Sequence, residues 1–205
     1  MKIFRSTLLM TLFFLASATV WSASDKILVL GDSLSAGYGI KVQESWPKLL
    51  DSKLETEDQN YKVHNASISG QTTSEGLRQI DELLSLTSPK LVILELGAND
   101  GLRGLSISAM KSNLNSMIDK SQLAGAKVLL LGIQVPTNYG PRYGQMFKQA
   151  FADVAEQQGV AFIPFMLKPL MNNKDKYVQD DGLHPNAIAQ PVILDYLWPE
   201  IEALL

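Results

Sequence analysis

Short apolar segments alternate along the chain with stretches in which apolar residues recur every three or four positions. Five segments have the composition of β-strands: 26–30, 61–64, 91–96, 128–132 and 161–163. Between them the periodicity predicts helices at 46–54, 74–86, 109–123 and 143–158. A last helix is predicted to begin at Pro191, and Pro199 is expected to kink or end it.

The order of these elements predicts the class of fold. Segments 91–96 and 128–132 are apolar almost throughout, which is typical of parallel strands that are covered on both faces. Alternating strands and helices favour right-handed crossovers. We therefore expect a three-layer α/β/α sandwich with a five-stranded parallel sheet. In such sheets the functional loops follow the carboxyl ends of the strands, so the residues after each strand are the ones to inspect.

The first 24 residues differ from the rest of the chain. Lys2 and Arg5 precede an apolar run over 7–20, and small residues follow at 22–24. This is the layout of a secretory signal peptide, and the run is shorter than the about 20 residues that span a bilayer. We predict a signal peptide over 1–24 that is removed.

Cleavage after Ser22 or after Ser24 suits the small-residue rule, and the choice between them stays open. The mature protein is expected in the periplasm or outside the cell, with no stable membrane span after processing. Of the 205 residues, 46% are hydrophobic and 19% are charged, which fits one globular domain over 25–205.

The content of charged residues, cysteine and histidine excludes several classes of function. The formal net charge is −3 and no basic tract is present, so nucleic acid is not expected as a partner. The chain has no cysteine, which excludes disulfides and thiolate metal sites. Only two histidines occur, and His64 lies in a predicted strand with no motif around it, so we interpret it as structural. No metal site is expected.

The first loop beyond a strand reads GDSLSAGYG over 31–39. A serine on such a turn can project its hydroxyl from the sheet edge, with backbone N–H groups beside it. Turns of this kind also bind phosphate. The segment alone therefore leaves two alternatives open: a nucleophile at Ser33, or a phosphate-binding turn.

Near the end of the chain, residues 180–186 read DDGLHPN. A glycine and a proline indicate a turn, on which Asp181 and His184 can form a hydrogen bond. Such a carboxylate would set the tautomer of the imidazole and stabilise its protonated form. The Asp-x-x-His spacing favours Asp181 over Asp180 as the partner. A surface histidine in a polar turn is the alternative.

Two more segments follow strand ends, GANDG at 97–101 and ASISGQT at 66–72. The side-chain amide of Asn99 can donate a hydrogen bond to a developing oxyanion. Gly70 lets a ligand approach the backbone closely, so its N–H is a second candidate donor. Taken alone, each segment is as typical of an ordinary turn.

Together these segments resemble the four sequence blocks of the SGNH (GDSL) hydrolases. The matching residues are, in order, GDSL at 31–34, Gly70, GAND at 97–100 and DGLHP at 181–185. The resemblance spans essentially the whole mature chain, and it is nearest to the bacterial periplasmic thioesterases, lysophospholipases and arylesterases of that family. It implies a flavodoxin-like version of the expected sandwich.

The resemblance also implies roles for individual residues. Ser33 would be the nucleophile, His184 the general base and Asp181 the residue that orients it. The backbone N–H groups of Ser33 and Gly70 and the amide of Asn99 would form the oxyanion hole. The expected protein is then a monomeric serine hydrolase that needs no cofactor and cleaves carboxylic esters and acyl thioesters through an acyl-enzyme.

The expected substrates are small molecules: acyl esters, thioesters or lysophospholipids. Segments 101–105 and 136–143 are expected to flank the acyl chain, as the resemblance implies. Two alternatives remain beside this interpretation. One is a carbohydrate acetylesterase with the same triad; the other is a non-catalytic flavodoxin-like binding module in which 31–39 holds phosphate.

Overall fold

The computed structural model of the protein describes residues 24–205, so the predicted signal peptide lies outside the described residues except for Ser24. One sheet contains five parallel strands in the order β2-β1-β3-β4-β5. Their bounds are β1 (Asp25–Gly31), β2 (Tyr61–Asn65), β3 (Leu91–Glu95), β4 (Lys127–Leu131) and β5 (Ala161–Ile163). The predicted five-stranded parallel sheet is confirmed, with each strand end within one residue of its predicted position.

The helices of the described residues are α1 (Ser33–Ala36), α2 (Trp46–Thr56), α3 (Thr73–Thr87), α4 (Ala98–Leu102), α5 (Ile107–Leu123), α6 (Pro141–Gln158), α7 (Lys174–Tyr177) and α8 (Ala189–Glu202). Short 3₁₀ turns lie at Val42–Glu44, Thr137–Tyr139 and Lys168–Asn173. The predicted long helices are all present, whereas the sequence pattern did not predict α1, α4 and α7. These three have only four or five residues, too few for a periodic pattern.

The last helix corrects one expectation. It begins at Ala189 rather than Pro191, and it continues through Pro199 to Glu202, so Pro199 does not end it. A proline has no N–H and leaves the carbonyl four residues earlier, that of Asp195, without its helical donor. Asp195 is exposed, so water can satisfy that carbonyl and the last turn survives.

The direction of each crossover explains why helices cover both faces of the sheet. From β1 the chain moves to β2 at one edge, and then passes back over β1 to β3, β4 and β5. Right-handed crossovers in opposite directions place their helices on opposite faces. Accordingly α3 packs against α5 and α5 against α6, while α2 packs against α8. The predicted α/β/α sandwich is confirmed.

The core is centred on β1 and β3, whose side chains are covered on both faces. Every residue of β3 is buried, and β1 is buried from Ile27 onward. Apolar residues that recur at three- and four-residue spacing form the inner face of α5: Met110, Leu114, Met117 and Ile118 are all buried. Ser33 and Asn99 therefore follow strands that cannot shift without opening the core, whereas Gly70 follows the half-buried edge strand β2.

We expect Leu114→Ala to lower the free energy of unfolding by about 2–5 kcal/mol, because it leaves a cavity at a fully buried position of α5. Leu123→Ala in the same helix is the matched control. Leu123 is 87% exposed, so its loss should change stability by less than about 0.5 kcal/mol. Urea unfolding of the two variants checks this, and equal losses would contradict the assignment of the buried face.

Candidate active site

The segments singled out in the sequence meet at the carboxyl edge of the sheet. Ser33 lies two residues beyond β1, and Asn99 lies four residues beyond β3. Gly70 follows β2, the other neighbour of β1 in the sheet. The chain leaves β1 and β3 toward opposite faces at this point, and doubly wound sheets form their binding cleft where the strand order reverses in this way.

Asp32 and Gly37 determine the shape of the turn that carries Ser33. The carboxylate of Asp32 caps α1 by accepting the backbone N–H of Leu34 at 3.1 Å. Gly37 ends the helix in the left-handed region, with φ of 79°. Ser33 is the first helical residue, so its own N–H has no helical acceptor, and no other acceptor for it lies within residues 24–205.

Ser33, His184 and Asp181 form a continuous chain of hydrogen bonds. His184 Nε2 lies 2.9 Å from Ser33 Oγ, and His184 Nδ1 lies 2.6 Å from Asp181 Oδ2. A neutral imidazole with its proton on Nδ1 satisfies both contacts: it donates to Asp181 and accepts from the serine hydroxyl. Asp180 is exposed and makes no side-chain hydrogen bond within the described chain, so Asp181 is the carboxylate beside the imidazole.

Asp181 is held as an anion by the turn in which it lies. Its second oxygen accepts the backbone N–H groups of Leu183, at 2.9 Å, and of His184, at 3.0 Å. Partial burial works to raise the pKa of Asp181, but these backbone hydrogen bonds and the His184 ring outweigh it and lower the pKa to about 2. The carboxylate therefore stays ionised beside the imidazole at neutral pH.

The three expected oxyanion donors differ in their availability. The N–H groups of Ser33 and Gly70 have no acceptor among residues 24–205. The amide of Asn99, by contrast, donates both of its hydrogens, to Asp32 Oδ2 and to the carbonyl of Gln71, each at 3.1 Å. An oxyanion would have to share one of these hydrogens with its present acceptor.

A buried carboxylate links the loop of Asn99 to the loop of Gly70. Asp100 accepts the N–H of Thr73 at 2.8 Å and its hydroxyl at 2.6 Å, and Thr73 is the first residue of α3. From the other side, Arg103 donates to the carbonyl of Gly70 at 2.7 Å. These contacts hold the segments that follow β2 and β3 at a constant separation.

Glu95, a buried carboxyl group that no motif in the sequence marked, lies under the turn that carries Ser33. Glu95 Oε2 accepts the hydroxyl of Ser35 at 2.8 Å and the N–H of Asp32 at 3.3 Å. Its other oxygen has no partner within residues 24–205. A glutamate in the otherwise apolar segment 91–96 was the signal that could have revealed it, because a fully buried glutamate is rare.

Burial disfavours the charged forms of both Glu95 and Asp32. Burial, and then repulsion from Asp32, hold the pKa of Glu95 well above its ordinary value. Burial also raises the pKa of Asp32, to about 6, although hydrogen bonds from Leu34 and Asn99 oppose the shift. Asp32 therefore carries the negative charge at neutral pH, and Glu95 is the neutral partner.

A cavity of about 520 Å³ opens beside Ser33 and His184. Most of its lining is apolar and includes Leu102, Ile133, Val135, Phe165, Leu167 and Met171. The serine hydroxyl thus lies at the side of an apolar chamber that is large enough for an acyl chain.

The two segments expected to flank an acyl chain contribute only in part. Leu102, Pro136 and Thr137 line the cavity, but Leu105 is exposed and does not. Tyr139 does not line the cavity either, but its hydroxyl donates to the carbonyl of Leu102, a lining residue, at 2.7 Å. The two segments therefore flank the cavity through Leu102, Pro136 and Thr137, and not through Leu105 or Tyr139.

Residues 29–190 match the model of the GDSL-like Lipase/Acylhydrolase family. This match covers most of the chain, and it includes every residue of the site described above. The chain belongs to this family. It is therefore an acyl hydrolase of the class that cleaves carboxylic esters and acyl thioesters, and the predicted family and type of enzyme are confirmed. The alternative of a non-catalytic binding module is set aside.

The relatives span nearly the whole chain. Esterase TesA of Pseudomonas aeruginosa is 43% identical over 98% of this chain and 100% of its own length, and an Arylesterase of Vibrio mimicus is 46% identical over 94% and 95%. Thioesterase 1/protease 1/lysophospholipase L1 of Escherichia coli is 39% identical over 90% and 86%. The crystal structure of TesA superposes with a TM-score of 0.85 at 45% identity, covering 88% of this chain and all of that one.

Neither a metal site nor a membrane-spanning helix is found in the part of the chain that is described. Residues 24–205 contain no cluster of three or more His, Cys, Asp or Glu side chains arranged to hold a metal ion. None of the helices in this range is long and apolar enough to cross a bilayer. His64 lies in β2, half-buried, and its ring makes no hydrogen bond to another described residue.

We expect Glu95→Gln to stabilise the fold increasingly as the pH rises. Below the ordinary value of 4.5, Glu95 is protonated in both the folded and the unfolded chain. Above it, the unfolded chain releases a proton that the folded chain retains, so the wild type loses stability as the pH rises toward the raised pKa. Glutamine keeps the acceptor for Asp32 and Ser35 without this loss.

Urea unfolding at pH 4 and at pH 8 tests this expectation. The stability gain of the variant should grow by at least about 1.4 kcal/mol between the two, the equivalent of one pKa unit. Glu82→Gln on the exposed face of α3 is the matched control, with an expected change below about 0.5 kcal/mol. A gain that does not vary with pH would contradict the neutral state of Glu95.

Proposed function

We propose that this acyl hydrolase works through an acyl-enzyme on Ser33, with His184 as the general base and Asp181 as the residue that orients it. The observation that carries the proposal is the hydrogen-bonded chain of these three side chains, with contacts of 2.9 and 2.6 Å, beside an apolar cavity. A serine, a base within reach of it and a carboxylate that sets the tautomer of the base are the parts that acyl transfer needs.

In the first step Ser33 Oγ attacks the acyl carbonyl and its proton passes to His184 Nε2. The imidazolium that forms is stabilised by Asp181, whose carboxylate accepts a hydrogen bond from its Nδ1–H and stays ionised. The low pKa of Asp181 matters here, because a protonated carboxyl group would offer no charge to the imidazolium.

The negative charge that develops on the substrate oxygen needs donors that are already in place. We assign the N–H groups of Ser33 and Gly70 to this role, since neither has an acceptor within the described chain. Asn99 joins them by turning one hydrogen from the carbonyl of Gln71 toward the oxyanion. A charged acceptor forms a stronger hydrogen bond than a neutral carbonyl, so this exchange favours the transition state over the resting state.

Acylation ends when His184 gives this proton to the leaving alkoxide or thiolate and the bond between the acyl carbon and that group breaks. In deacylation a water molecule gives a proton to His184 and its oxygen attacks the acyl-serine ester. His184 then returns that proton to Ser33 Oγ as the bond between the acyl carbon and Oγ breaks, which releases the carboxylic acid and restores the Ser33 hydroxyl.

The cavity favours an acyl chain over an acetyl group as the part of the substrate that binds beside Ser33. A chamber of about 520 Å³ with mostly aliphatic and aromatic walls is far larger than an acetyl group, and it offers few partners for sugar hydroxyls. We therefore favour acyl esters, acyl thioesters and lysophospholipids over acetylated carbohydrate. The relatives named esterase, arylesterase, thioesterase and lysophospholipase support the same choice.

We also propose that the protein acts as a monomer, because all the groups assigned to catalysis come from one chain.

Export to the periplasm or the medium is proposed from the composition of residues 1–24. Intact-mass measurement on the protein recovered from a bacterial periplasmic fraction should give a chain that begins at Ala23 or Asp25. Recovery of the chain with its first 22 residues, in the membrane fraction, would contradict it.

We expect Ser33→Ala to reduce hydrolysis of p-nitrophenyl butyrate and of a palmitoyl thioester by at least about 10⁴-fold. The purified mature domain is assayed without added metal. Ser112→Ala, at an exposed position of α5, is the matched control and should retain wild-type rates. Equal activity in wild type and Ser33→Ala would show that Ser33 is not the nucleophile.

The same assay separates the remaining alternative. An enzyme whose cavity holds acyl chains should prefer acyl esters to acetylated xylan, and its activity should depend on chain length. High activity on acetylated xylan, with little on butyrate or palmitoyl substrates, would support the carbohydrate acetylesterase instead.

A further inference from the structure

The loop that carries Asp181 and His184 is a small hairpin that closes on itself. An antiparallel bridge joins Val178 to Pro185 at its base. Within it, the N–H of Gln179 donates to the carbonyl of His184 at 2.8 Å, and the N–H of Gly182 donates to the carbonyl of Gln179 at 2.9 Å. Residues 180–183 at its tip are exposed, so the core does not hold them.

This hairpin has few links to the rest of the protein. Within residues 24–205, two hydrogen bonds join residues 177–186 to the chain outside 174–190. One is the contact between His184 and Ser33 itself. The other is donated by Gln179 Nε2 to the carbonyl of Tyr38, at 2.8 Å, in the nucleophile loop. The ring of Tyr38 also lies against the ring of His184, with 4.4 Å between centroids.

The amide of Gln179 connects the two loops with both of its hydrogens. Besides the carbonyl of Tyr38, it donates to the carbonyl of Pro185 at 3.0 Å. Pro185 directly follows His184 in the sequence. A single rigid amide therefore spans from the nucleophile loop to the histidine hairpin. Because an amide group is planar, the separation of its two acceptors can vary little while both bonds persist.

The position of the Gln179 side chain also explains why residue 39 is a glycine, although Gly39 has no proposed catalytic role. Gly39 lies against the Gln179 side chain, and a Cβ added there would be 2.2 Å from Oε1. Gly39 also has a φ of 74°, where a side chain is strained. The second glycine of the GYG segment, 37–39, thus leaves the space that the Gln179 amide occupies.

We propose that Gln179 is a positioning residue, which holds His184 at hydrogen-bonding distance from Ser33 by bridging their two loops. The proposal rests on the roles proposed above for Ser33 and His184. A second polar link starts beyond His184, where Gln190 donates to the carbonyl of Asn186 and accepts the N–H of Trp46. From residues 177–184, however, the Gln179 amide makes the one hydrogen bond to the loop of Ser33 besides the His184 contact, within the described chain. Proton transfer depends steeply on the distance that this bond sets, since a misplacement of about 1 Å can cost about 10²-fold in rate. Gln179 itself does not line the cavity and contacts none of the reacting side-chain atoms, so it acts through His184.

Gln179→Glu and Gln179→Met test the proposal together. Glutamate has the same shape but replaces the NH2 group, which donates to both carbonyls, with one oxygen that faces them both. Methionine removes the donor without adding charge. We expect kcat on p-nitrophenyl butyrate to fall about 10- to 100-fold in both variants, more in Gln179→Glu, with KM within about twofold of wild type. The rate at which a small fluorophosphonate labels Ser33 should fall in parallel, since that reaction also needs the base but not the acyl cavity.

Two controls keep this result distinct from other effects. Gln145→Glu, at an exposed position of α6, adds the same charge elsewhere and should leave kcat unchanged. Wild type and Ser33→Ala, assayed beside the variants, report separately on the proposed function.

Two results would overturn the proposal. One is a kcat within twofold of wild type in both Gln179 variants. The other is a loss of activity that matches the fraction of unfolded protein in a urea titration at the assay temperature.

Discussion

The parallel pairing of β1 with β3 is the constraint on which the rest of the site depends. Both strands are buried, and their register places Gly31 directly opposite Glu95 at the carboxyl end. A Cβ on Gly31 would be 2.7 Å from the Glu95 carboxyl group, so only glycine lets the two strands carry the turn and the acid together. Ser33 follows the end of β1 and Asn99 follows the end of β3, and the two loops are near enough for Asn99 to contact Asp32.

The two halves of the site are supported in different ways. Ser33 and Asn99, the proposed nucleophile and oxyanion donor, follow buried strands, while Gly70 follows the half-buried edge strand β2. Buried carboxyl groups, Asp100 and Glu95, tie these loops to their neighbours. The proposed base His184 and its partner Asp181 lie in a hairpin with an exposed tip, which is joined to that framework through Ser33 and Tyr38. Exposed segments with few contacts open at low free energy. The position of His184 therefore depends on a few directional bonds, together with the Tyr38 ring packed against the imidazole and the buried Pro185 beside it.

Resting-state hydrogen bonds of Asn99 bear on its proposed role as an oxyanion donor. Asp32 and Gln71 orient the Asn99 amide, so it needs no reorganisation of the backbone to reach a new acceptor. The one hydrogen bonded to the Gln71 carbonyl has to turn, while the cost of ordering the residue is met when the protein folds. The charge on Asp32 maintains this orientation, and its neutral neighbour Glu95 supports the turn without adding a second charge.

Sequence alone determined the order of strands and helices, the parallel sheet and the family, because period, apolar runs and the motifs around Ser33, Gly70, Asn99 and His184 are local properties of the chain. It also singled out the Asp-x-x-His turn, whose geometry is local. Tertiary structure decided what no local pattern contains: that Glu95 lies under the nucleophile turn, that both hydrogens of Asn99 are engaged, and that Gln179 meets Tyr38 across 141 residues. These contacts form only when buried strands bring distant loops together, and the choice among possible partners is then made by desolvation and hydrogen-bond geometry.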